Sequence, residues 1–278
     1  MPELPEVETM RRNVLPIVGK KIAEASRTSC TKKPISIEPR IDRLNKRVVG
    51  KKVVRVDRLG KRVVIVTESE DRLIIEPRMT GIVLIGQPPN TEHLRFQIKF
   101  RKSAGTRLLF WDRRGLGTVR LLSAKQFDDW MESGKLGPDA IAITVDEMRQ
   151  RADKSRREIK VALLDQKLVA GVGNLYASEI LFSAGIDPRT RCDRLSKKQW
   201  TKIHSEMLRI LNEAILYEGS TLSDGTYQQS INEPGGYQNH HQVYDKADSP
   251  CPVCAKPIRR IVQAQRSTFF CQKCQKKG

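Results

Sequence analysis

The first residues of the chain combine an amine and a carboxylate that could act together on a substrate. Pro2 stands beside Glu3, and a small second residue permits removal of the initiator methionine. A free α-amine has a pKa of about 7.7 to 8.0, against about 10.4 for lysine, so more of it is neutral and nucleophilic at neutral pH. An exposed N-terminal amine beside a carboxylate can attack a sugar carbon and form an iminium. The opening residues therefore predict nucleophilic chemistry at Pro2.

Four cysteines near the end of the sequence have the spacing of metal ligands. They form two Cys-x2-Cys pairs separated by sixteen residues, and they are Cys251, Cys254, Cys271 and Cys274. Four thiolates satisfy the tetrahedral preference of zinc, and the β-like segment between the pairs suits a ribbon. Two disulfides or redox dithiols are the alternative, which a reducing compartment disfavours. Because no ligand is left for an open coordination position, we expect one structural zinc ion.

A glycine-rich turn precedes a predicted helix in the segment DQKLVAGVGNLYASEILFSAG. Gly171 and Gly173 form the turn, and Asn174 is a suitable N-cap. Backbone N–H groups at a helix N-terminus bind anions, so this turn could hold a DNA phosphate. Glycines also allow packed helices to approach closely, and the motif alone leaves that alternative open.

The charge of the chain favours a polyanionic partner. Lys and Arg number 51 against 32 Asp and Glu, which gives a net charge of +19 and a pI near 9.9. Nucleic acid is the commonest such partner, and a membrane surface is the weaker alternative. No apolar run approaches the roughly 18 residues needed to span a bilayer, and the opening residues do not resemble a signal peptide. We therefore expect a cytoplasmic protein.

The elements that must position these groups change along the chain. Val7, Met10 and Val14 form the apolar stripe of a first helix, and short β-branched segments then continue to Leu122, as in a β-sandwich or barrel. Helical periodicity follows, and then a polar, glycine-rich loop. We predict four regions: a β-domain at 1–133, a linker at 134–144, a helical domain at 145–243 with a loop at about 219–238, and the cysteine unit at 244–278.

Three segments resemble bacterial formamidopyrimidine-DNA glycosylase: PELPEVE at the start, GVGNLYASE in the middle and AQRSTFFCQKC at the end. The resemblance implies an α+β multidomain protein with an N-terminal β-sandwich and flanking helix, a helix-two-turns-helix domain and a C-terminal zinc ribbon. It also implies a bifunctional enzyme that removes oxidised purines such as 8-oxoguanine and formamidopyrimidines from double-stranded DNA. Such an enzyme then cleaves the abasic strand by β,δ-elimination. We expect a bacterial, nucleoid-associated monomer.

The same resemblance assigns roles to individual residues. Pro2 would be the nucleophile at the anomeric carbon, Glu3 would donate and accept protons, and Lys61 would bind phosphate and assist elimination. Asn174 and Arg266 would bind the phosphates beside the lesion. The resemblance also makes Arg266 one of the catalytic residues. A further phosphate contact is expected at Lys160. The loop at about 219–238 would close over the flipped base.

Side chains from two loops would fill the space that a flipped base leaves. Met79 would be an apolar plug, and Arg114 would donate to the orphaned opposite base. Leu116 replaces the usual aromatic third member and stacks poorly. Glu76 and Arg78 stand where the family has a histidine and a glycine, a further departure of this sequence. A DNA contact is expected at His93, although a single histidine also serves packing.

Two alternatives remain beside the purine-directed enzyme. One is an endonuclease VIII-like glycosylase for oxidised pyrimidines, whose members usually lack the PELPEVE start. The other is a basic zinc-ribbon protein that binds damaged DNA without chemistry. Pro2, Glu3 and Lys61 argue against the second alternative, because a pure binding protein does not need an amine and a carboxylate at its start.

Overall fold

The computed structural model of the chain describes residues 2–102, 105–221 and 235–277. Two compact units divide the chain: the first is Met1–Ser133 with Tyr217–Gly236, and the second is Gly134–Leu216 with Tyr237–Gly278. Within the described ranges, no helix is both long and apolar enough to cross a membrane. The boundaries expected from the sequence stay predictions.

The first unit is built from two sheets with flanking helices. In chain order its elements are α1 (Leu4–Val14), β1 (Ile22–Arg27), β2 (Ser36–Glu38), α2 (Ile41–Val48), β3 (Val53–Leu59), β4 (Arg62–Thr67), β5 (Arg72–Glu76), β6 (Gly81–Ile85), β7 (Leu94–Phe100), β8 (Arg107–Asp112), β9 (Thr118–Leu122) and α3 (Ala124–Glu132). One sheet has the order β1-β7-β8-β6, and the other has the order β2-β9-β5-β4-β3. Apolar residues from both sheets form one buried cluster, which confirms the predicted β-sandwich.

The helix at the start of the first unit forms as its sequence predicts. Glu3 is the N-cap of α1, and the Glu6 side chain accepts the Glu3 backbone N–H, as in a capping box. Val7, Met10 and Val14 are buried in the core cluster, which confirms the apolar stripe. The helix therefore holds the opening residues against the sheets.

Two of the connections between the sheets, β5–β6 and β8–β9, are neighbours. Strand β5 pairs with β9 through Glu76 and Thr118, and β6 pairs with β8 through Gly81 and Asp112. The β5–β6 loop, residues 77–80, and the β8–β9 loop, residues 113–117, therefore begin and end on paired residues. This topology places side by side the two loops that carry Met79 and Arg114.

The second unit combines helices with a two-stranded ribbon. Its elements are α4 (Val145–Gln150), α5 (Ile159–Leu164), α6 (Asn174–Ala184), α7 (Lys197–Leu216), β10 (Arg259–Gln263) and β11 (Arg266–Phe270). Gly185 ends α6 in the left-handed conformation with φ +70°. Residues of the expected linker pack within this unit, since Ala140 is fully buried and its N–H donates to Ala170 O at 2.9 Å.

Candidate functional site

Glu3 is held in a nearly buried position at the start of α1. This residue is 3% exposed, and its N–H donates to Glu6 Oε2 at 2.7 Å. Pro2 is also buried. Pro2, the predicted nucleophile, and the neighbouring carboxylate thus lie at a helix terminus, which restricts their positions.

The second carboxylate oxygen of Glu6 accepts a hydrogen bond from a segment of the first unit that is distant in sequence. Glu6 Oε1 accepts the Ser220 N–H at 2.8 Å. Gly219 has φ +81°, and a Cβ there would lie 2.7 Å from Glu6 Oε1, so only glycine fits. The Gly236 N–H donates to Tyr217 O at 2.8 Å. We call Tyr217–Thr221 with Gly235–Gly236 the stem.

Residues 222–234, which lie between the two parts of the stem in the sequence, include most of the loop predicted to cap the lesion. Gly235 N–H donates to Thr221 Oγ1 at 2.9 Å, so a hydrogen bond joins the two segments of the stem. The predicted capping loop at about 219–238 lies outside the described residues between 222 and 234. Its role stays a prediction.

Lys61 lies in the two-residue loop between β3 and β4. Gly60, with φ +56°, and Lys61 connect β3 to β4. Arg58 donates to Gly60 O at 3.0 Å and lies 3.3 Å from Glu8 Oε2 of α1. The tight turn ends the strand before Lys61, and Arg58 links this turn to the helix that carries Glu3.

The Glu8 carboxylate of α1 contacts three arginines, which are Arg11, Arg12 and Arg58. Burial by itself raises the pKa of Glu8, but hydrogen bonds from Arg11 and Arg12 and the charge of Arg58 outweigh it, so the pKa lies below the usual range of a glutamate. Arg11 Nη2 lies 2.8 Å from Glu8 Oε1. Arg11 and Arg12 lie three and four residues after Glu8 on the same helix, whereas the contact with Arg58 of β3 is not evident from the sequence.

The three residues predicted to enter DNA are exposed on the two neighbouring loops. Met79 is 36% exposed, Leu116 is 42% exposed, and Arg114 is also exposed. All three belong to the first unit. Their exposure fits side chains that are buried only when a partner is present.

Glu76 and Arg78, which depart from the family pattern, contact each other. Glu76 Oε1 lies 3.2 Å from Arg78 Nε and 3.2 Å from Arg62 Nη2. Arg78 has φ +57°, a left-handed conformation that a glycine would adopt without strain. The Glu76 carboxylate therefore contacts two guanidinium groups beside Met79. The three side chains together keep a net positive charge.

The ring of His93 packs against the protein. It meets the Trp111 ring edge-on at 5.5 Å, and Nε2 lies 3.7 Å from Glu92 Oε2. Its Nδ1 atom is buried and has no hydrogen-bond partner among the described residues. These contacts fit a packing role, and the DNA contact of His93 stays a prediction.

The glycine turn of the second unit differs from the predicted cap. Gly173 is the N-cap of α6, and Asn174 is the first helical residue. Asn174 does not cap the helix because its side chain is used elsewhere: Oδ1 accepts from Lys160 Nζ at 2.7 Å and Nδ2 donates to Ser267 O at 3.0 Å. The prediction of Asn174 as the N-cap was wrong by one residue.

Lys160, expected to contact a phosphate, is fully buried in the second unit. Its ammonium donates to Asn174 Oδ1, to Ser267 O at 2.9 Å and to Thr268 Oγ1 at 2.7 Å. A lysine is rarely buried unless its charge is compensated by such acceptors. Sequence alone shows the charge of this residue but not the acceptors around it.

Arg266 is exposed at the tip of the ribbon. It pairs with Gln263 across a two-residue turn, in which Ala264 and Gln265 have φ +46° and +61°. Two consecutive positive φ angles match the twist of a tight hairpin. Arg266 is thus exposed at the start of β11, where a guanidinium could reach a phosphate.

The four predicted ligand cysteines come together in the second unit. Their sulfur atoms all lie within 4.8 Å of one another. Tetrahedral zinc–sulfur bonds of about 2.3 Å require sulfur separations of about 3.8 Å. The measured separations are 3.9 Å between Cys251 and Cys274 and 3.5 Å between Cys254 and Cys271, far longer than a disulfide. The cluster fits one structural zinc ion.

Three family models match the chain. The formamidopyrimidine-DNA glycosylase N-terminal domain matches residues 1–119, the formamidopyrimidine-DNA glycosylase H2TH domain matches 136–226, and a zinc finger found in FPG and IleRS matches 248–277. Together these matches cover most of the sequence, in the order of the two sheets, the helices and the ribbon.

Curated relatives and solved structures agree with the family models. The formamidopyrimidine-DNA glycosylases of Streptococcus mutans and Bacillus subtilis are each 36% identical to this chain, with 99% or more of both chains covered. The complex between Lactococcus lactis Fpg and DNA containing an abasic site has a TM-score of 0.87 at 33% identity, over 99% of this chain and 100% of that chain. MutM (Fpg) from Thermus thermophilus has a TM-score of 0.86 at 32% identity, over 100% of both chains.

The fold and the four-cysteine cluster define a zinc-finger DNA glycosylase. The chain belongs to the formamidopyrimidine-DNA glycosylase family.

Proposed function

We propose that this protein excises 8-oxoguanine and formamidopyrimidines from duplex DNA and then cleaves the abasic strand. Support comes from the family and from similar structures of MutM with DNA containing carbocyclic 8-oxo-G and of a Lactococcus lactis FPG mutant with DNA containing Fapy-dG. Both have 33% identity and cover 99% of this chain. The net charge of +19 suits a DNA substrate.

The proposed chemistry begins at Pro2 once Met1 has been removed. The proline nitrogen attacks the anomeric carbon, the bond from that carbon to the base breaks, and Glu3 exchanges a proton with the opening sugar. The resulting iminium withdraws electrons, so the neighbouring carbon loses a proton and the 3′ phosphate leaves. A second elimination expels the 5′ phosphate. Water releases the sugar fragment and restores the amine.

The position of Glu3 is the single observation that carries this proposal. A carboxylate on a residue that is 3% exposed and held by the 2.7 Å bond from its own N–H to Glu6 has little freedom to leave the side of Pro2. The Glu3 side chain also accepts the N3 backbone N–H of α1 in the capping box, so helix capping offsets part of the cost of burying its carboxyl. Its place beside Pro2 supports an acid–base role in the proposed reaction.

The proposed phosphate contacts come from tight turns. Lys61 follows Gly60 in the β3–β4 loop, and Arg266 follows the turn at the ribbon tip. Short, closed turns limit the conformations of the residues that they carry, so less entropy is lost when a phosphate binds. We propose that Lys61, Arg266 and Asn174 bind the phosphates beside the lesion.

We further propose that Met79, Arg114 and Leu116 fill the space left by the flipped nucleotide. Apolar wedges that enter a base step unstack it at a cost of a few kcal/mol, which the new contacts offset. Leu116 fills volume without the stacking energy of an aromatic ring. The protein would therefore depend more on Arg114 to recognise the opposite base.

Borohydride trapping tests the function. The iminium between Pro2 and an abasic site should be reduced to a stable adduct, which mass spectrometry should place on the first residue of the Met-free protein. Pro2→Gly keeps an α-amine and should retain partial lyase activity, whereas extra residues ahead of Pro2 should abolish trapping. Glu3→Gln should lower base excision more than trapping on a preformed abasic site, because only excision needs the proton donor.

A panel of lesion duplexes decides between the substrate classes. Faster excision of 8-oxoguanine than of oxidised pyrimidines supports the proposal, and the reverse order would assign the protein to the endonuclease VIII-like class. If the zinc-loaded, Met-free protein bound lesion DNA but formed no covalent adduct, the protein would be a DNA-binding protein without catalytic activity. We also propose that the protein acts as a monomer in the bacterial cytoplasm, which sedimentation of the DNA complex would test.

A further inference from the structure

Asp112, at the end of β8, is a fully buried carboxylate with three hydrogen-bond donors around it. Oδ1 accepts the Thr80 hydroxyl at 2.5 Å and the Arg114 N–H at 3.2 Å. Oδ2 accepts the Gly117 N–H at 2.7 Å. One side chain thus binds both loops that carry the proposed wedge residues.

Thr80 completes the connection from the other loop. It follows Met79 directly, it is 2% exposed, and its hydroxyl also accepts the Arg114 N–H at 2.9 Å. Thr80 Oγ1 therefore donates to Asp112 and accepts from Arg114 at the same time. A buried hydroxyl used in both directions has one preferred orientation, so it fixes the distance between its two neighbours.

Close packing prevents the two loops from adjusting separately. A Cβ on Gly81 would lie 2.5 Å from Pro77 O, which closes the β5–β6 loop with the 2.9 Å bond from Gly81 N–H. A Cβ on Gly117 would lie 2.4 Å from the Phe110 ring and 3.1 Å from Asp112 Oδ2. A Cβ on Gly81 would also lie 2.7 Å from the Phe110 ring, so both loops pack tightly against that ring.

We propose that Asp112 and Thr80 are positioning residues that fix the spacing between Met79 on one loop and Arg114 with Leu116 on the other. The wedge residues can then enter DNA together, without first ordering two independent loops. This inference rests on the proposed function, in which these side chains replace a flipped nucleotide. Displacement of such groups by about 1 Å is enough to cost on the order of a hundredfold in rate.

Two substitutions of Thr80 separate shape from hydrogen bonding. Thr80→Val keeps the shape and removes the hydroxyl, whereas Thr80→Ser keeps the hydroxyl and should behave like the wild type. In Asp112→Asn, either orientation of the amide places its NH2 group against a backbone N–H, that of Arg114 or that of Gly117. If Asp112→Asn lowers the yield of folded protein, the two Thr80 variants are sufficient to test the proposal.

The readouts report wedge insertion rather than folding. A 2-aminopurine opposite an uncleavable abasic analogue should change fluorescence when the wedge enters, and Thr80→Val should reduce that amplitude severalfold. Single-turnover excision should fall about tenfold, and its dependence on cytosine or adenine opposite the lesion should shrink. Borohydride trapping on a single-stranded abasic oligonucleotide should stay close to the wild-type value, because there is no opposite base.

Thr67→Val is the matched control. Thr67 is another buried threonine of the first unit, with Oγ1 3.0 Å from Ser69 Oγ at the β4–β5 connection. Equal losses in Thr67→Val and Thr80→Val, or a wild-type fluorescence amplitude in Thr80→Val, would overturn the proposal. The fluorescence experiment requires binding alone, so it decides the matter even if the wild-type protein excised no base. Failure of the proposed function would appear separately, as absent excision and trapping by the wild type.

Discussion

Lys160 and Asn174 are joined by a 2.7 Å hydrogen bond from the buried ammonium to the side-chain oxygen. The same ammonium donates to Ser267 and Thr268 of β11, so it connects the glycine turn before α6 to the ribbon strand that begins at Arg266. We infer that Lys160 positions the two proposed phosphate-binding residues rather than binding a phosphate itself.

Lys160→Met should destabilise the protein by about 3 kcal/mol, because it removes the donor shared by three acceptors, one of them on the fully buried Thr268. Urea unfolding measures this loss. The slope of log affinity for DNA against log salt should stay unchanged, whereas Arg266→Ala should reduce it by about 0.9 for one lost phosphate contact. A lower slope with unaltered stability in Lys160→Met would instead make this lysine a direct DNA contact.

Zinc analysis of freshly purified, reduced protein should find one ion per chain. Cys271→Ser should lose the ion and expose the ribbon amides to rapid hydrogen exchange, because metal binding supplies much of the folding free energy of so small a unit. Cys30→Ser is the control, since Cys30 lies outside the cluster and is half-buried. Zinc retained in full by Cys271→Ser would contradict the four-cysteine site.

The ribbon turn should become more stable with glycine at its second position. Gln265 has φ +61°, a conformation that costs a non-glycine residue roughly 1 kcal/mol. Gln265→Gly should therefore slow hydrogen exchange of the β10 and β11 amides severalfold, while Gln263→Gly within the strand should accelerate it. Faster exchange in Gln265→Gly would show that the glutamine side chain contributes more than the backbone strain costs.

His241 should make the second unit sensitive to mild acid. Burial, with the charges of Lys246 and His240, lowers the pKa of His241 to about 4 from its ordinary value of 6.5. The unfolded chain binds more protons between these values, so the free energy of unfolding should fall by about 2 kcal/mol from pH 8 to pH 5. His241→Phe should remove this part of the pH dependence. Zinc content should be measured at each pH, since acid also protonates the ligand thiolates. Identical pH profiles of stability for the wild type and His241→Phe would show that His241 does not cause this pH dependence.

The sequence predicted the parts of the molecule that depend on local periodicity and spacing. The stripe of Val7, Met10 and Val14 lies in the core because helical spacing alone determines which side chains share a face. The four cysteines meet because each pair is short and a single hairpin brings the pairs together. These signals do not require knowledge of contacts between distant segments.

The sequence did not predict the side chains that connect distant segments. Asp112 resembles an ordinary turn residue in WDRRG, and its partner Thr80 belongs to another loop, so neither reveals a shared hydrogen bond. The charge of Lys160 suggested an exposed residue because its acceptors on Ser267 and Thr268 lie far along the chain. The cap was misplaced because the Asn174 side chain serves these tertiary contacts instead.

The Glu6 carboxylate also has a thermodynamic consequence, since it accepts the Glu3 N–H with one oxygen and the Ser220 N–H with the other. Both hydrogen bonds therefore depend on the orientation of this one carboxylate. The stem and the start of the chain therefore share a coupling free energy, which must act equally in both directions. Attachment of a sugar at Pro2 should slow hydrogen exchange at Ser220, and substitutions in the stem should alter catalysis through Glu6.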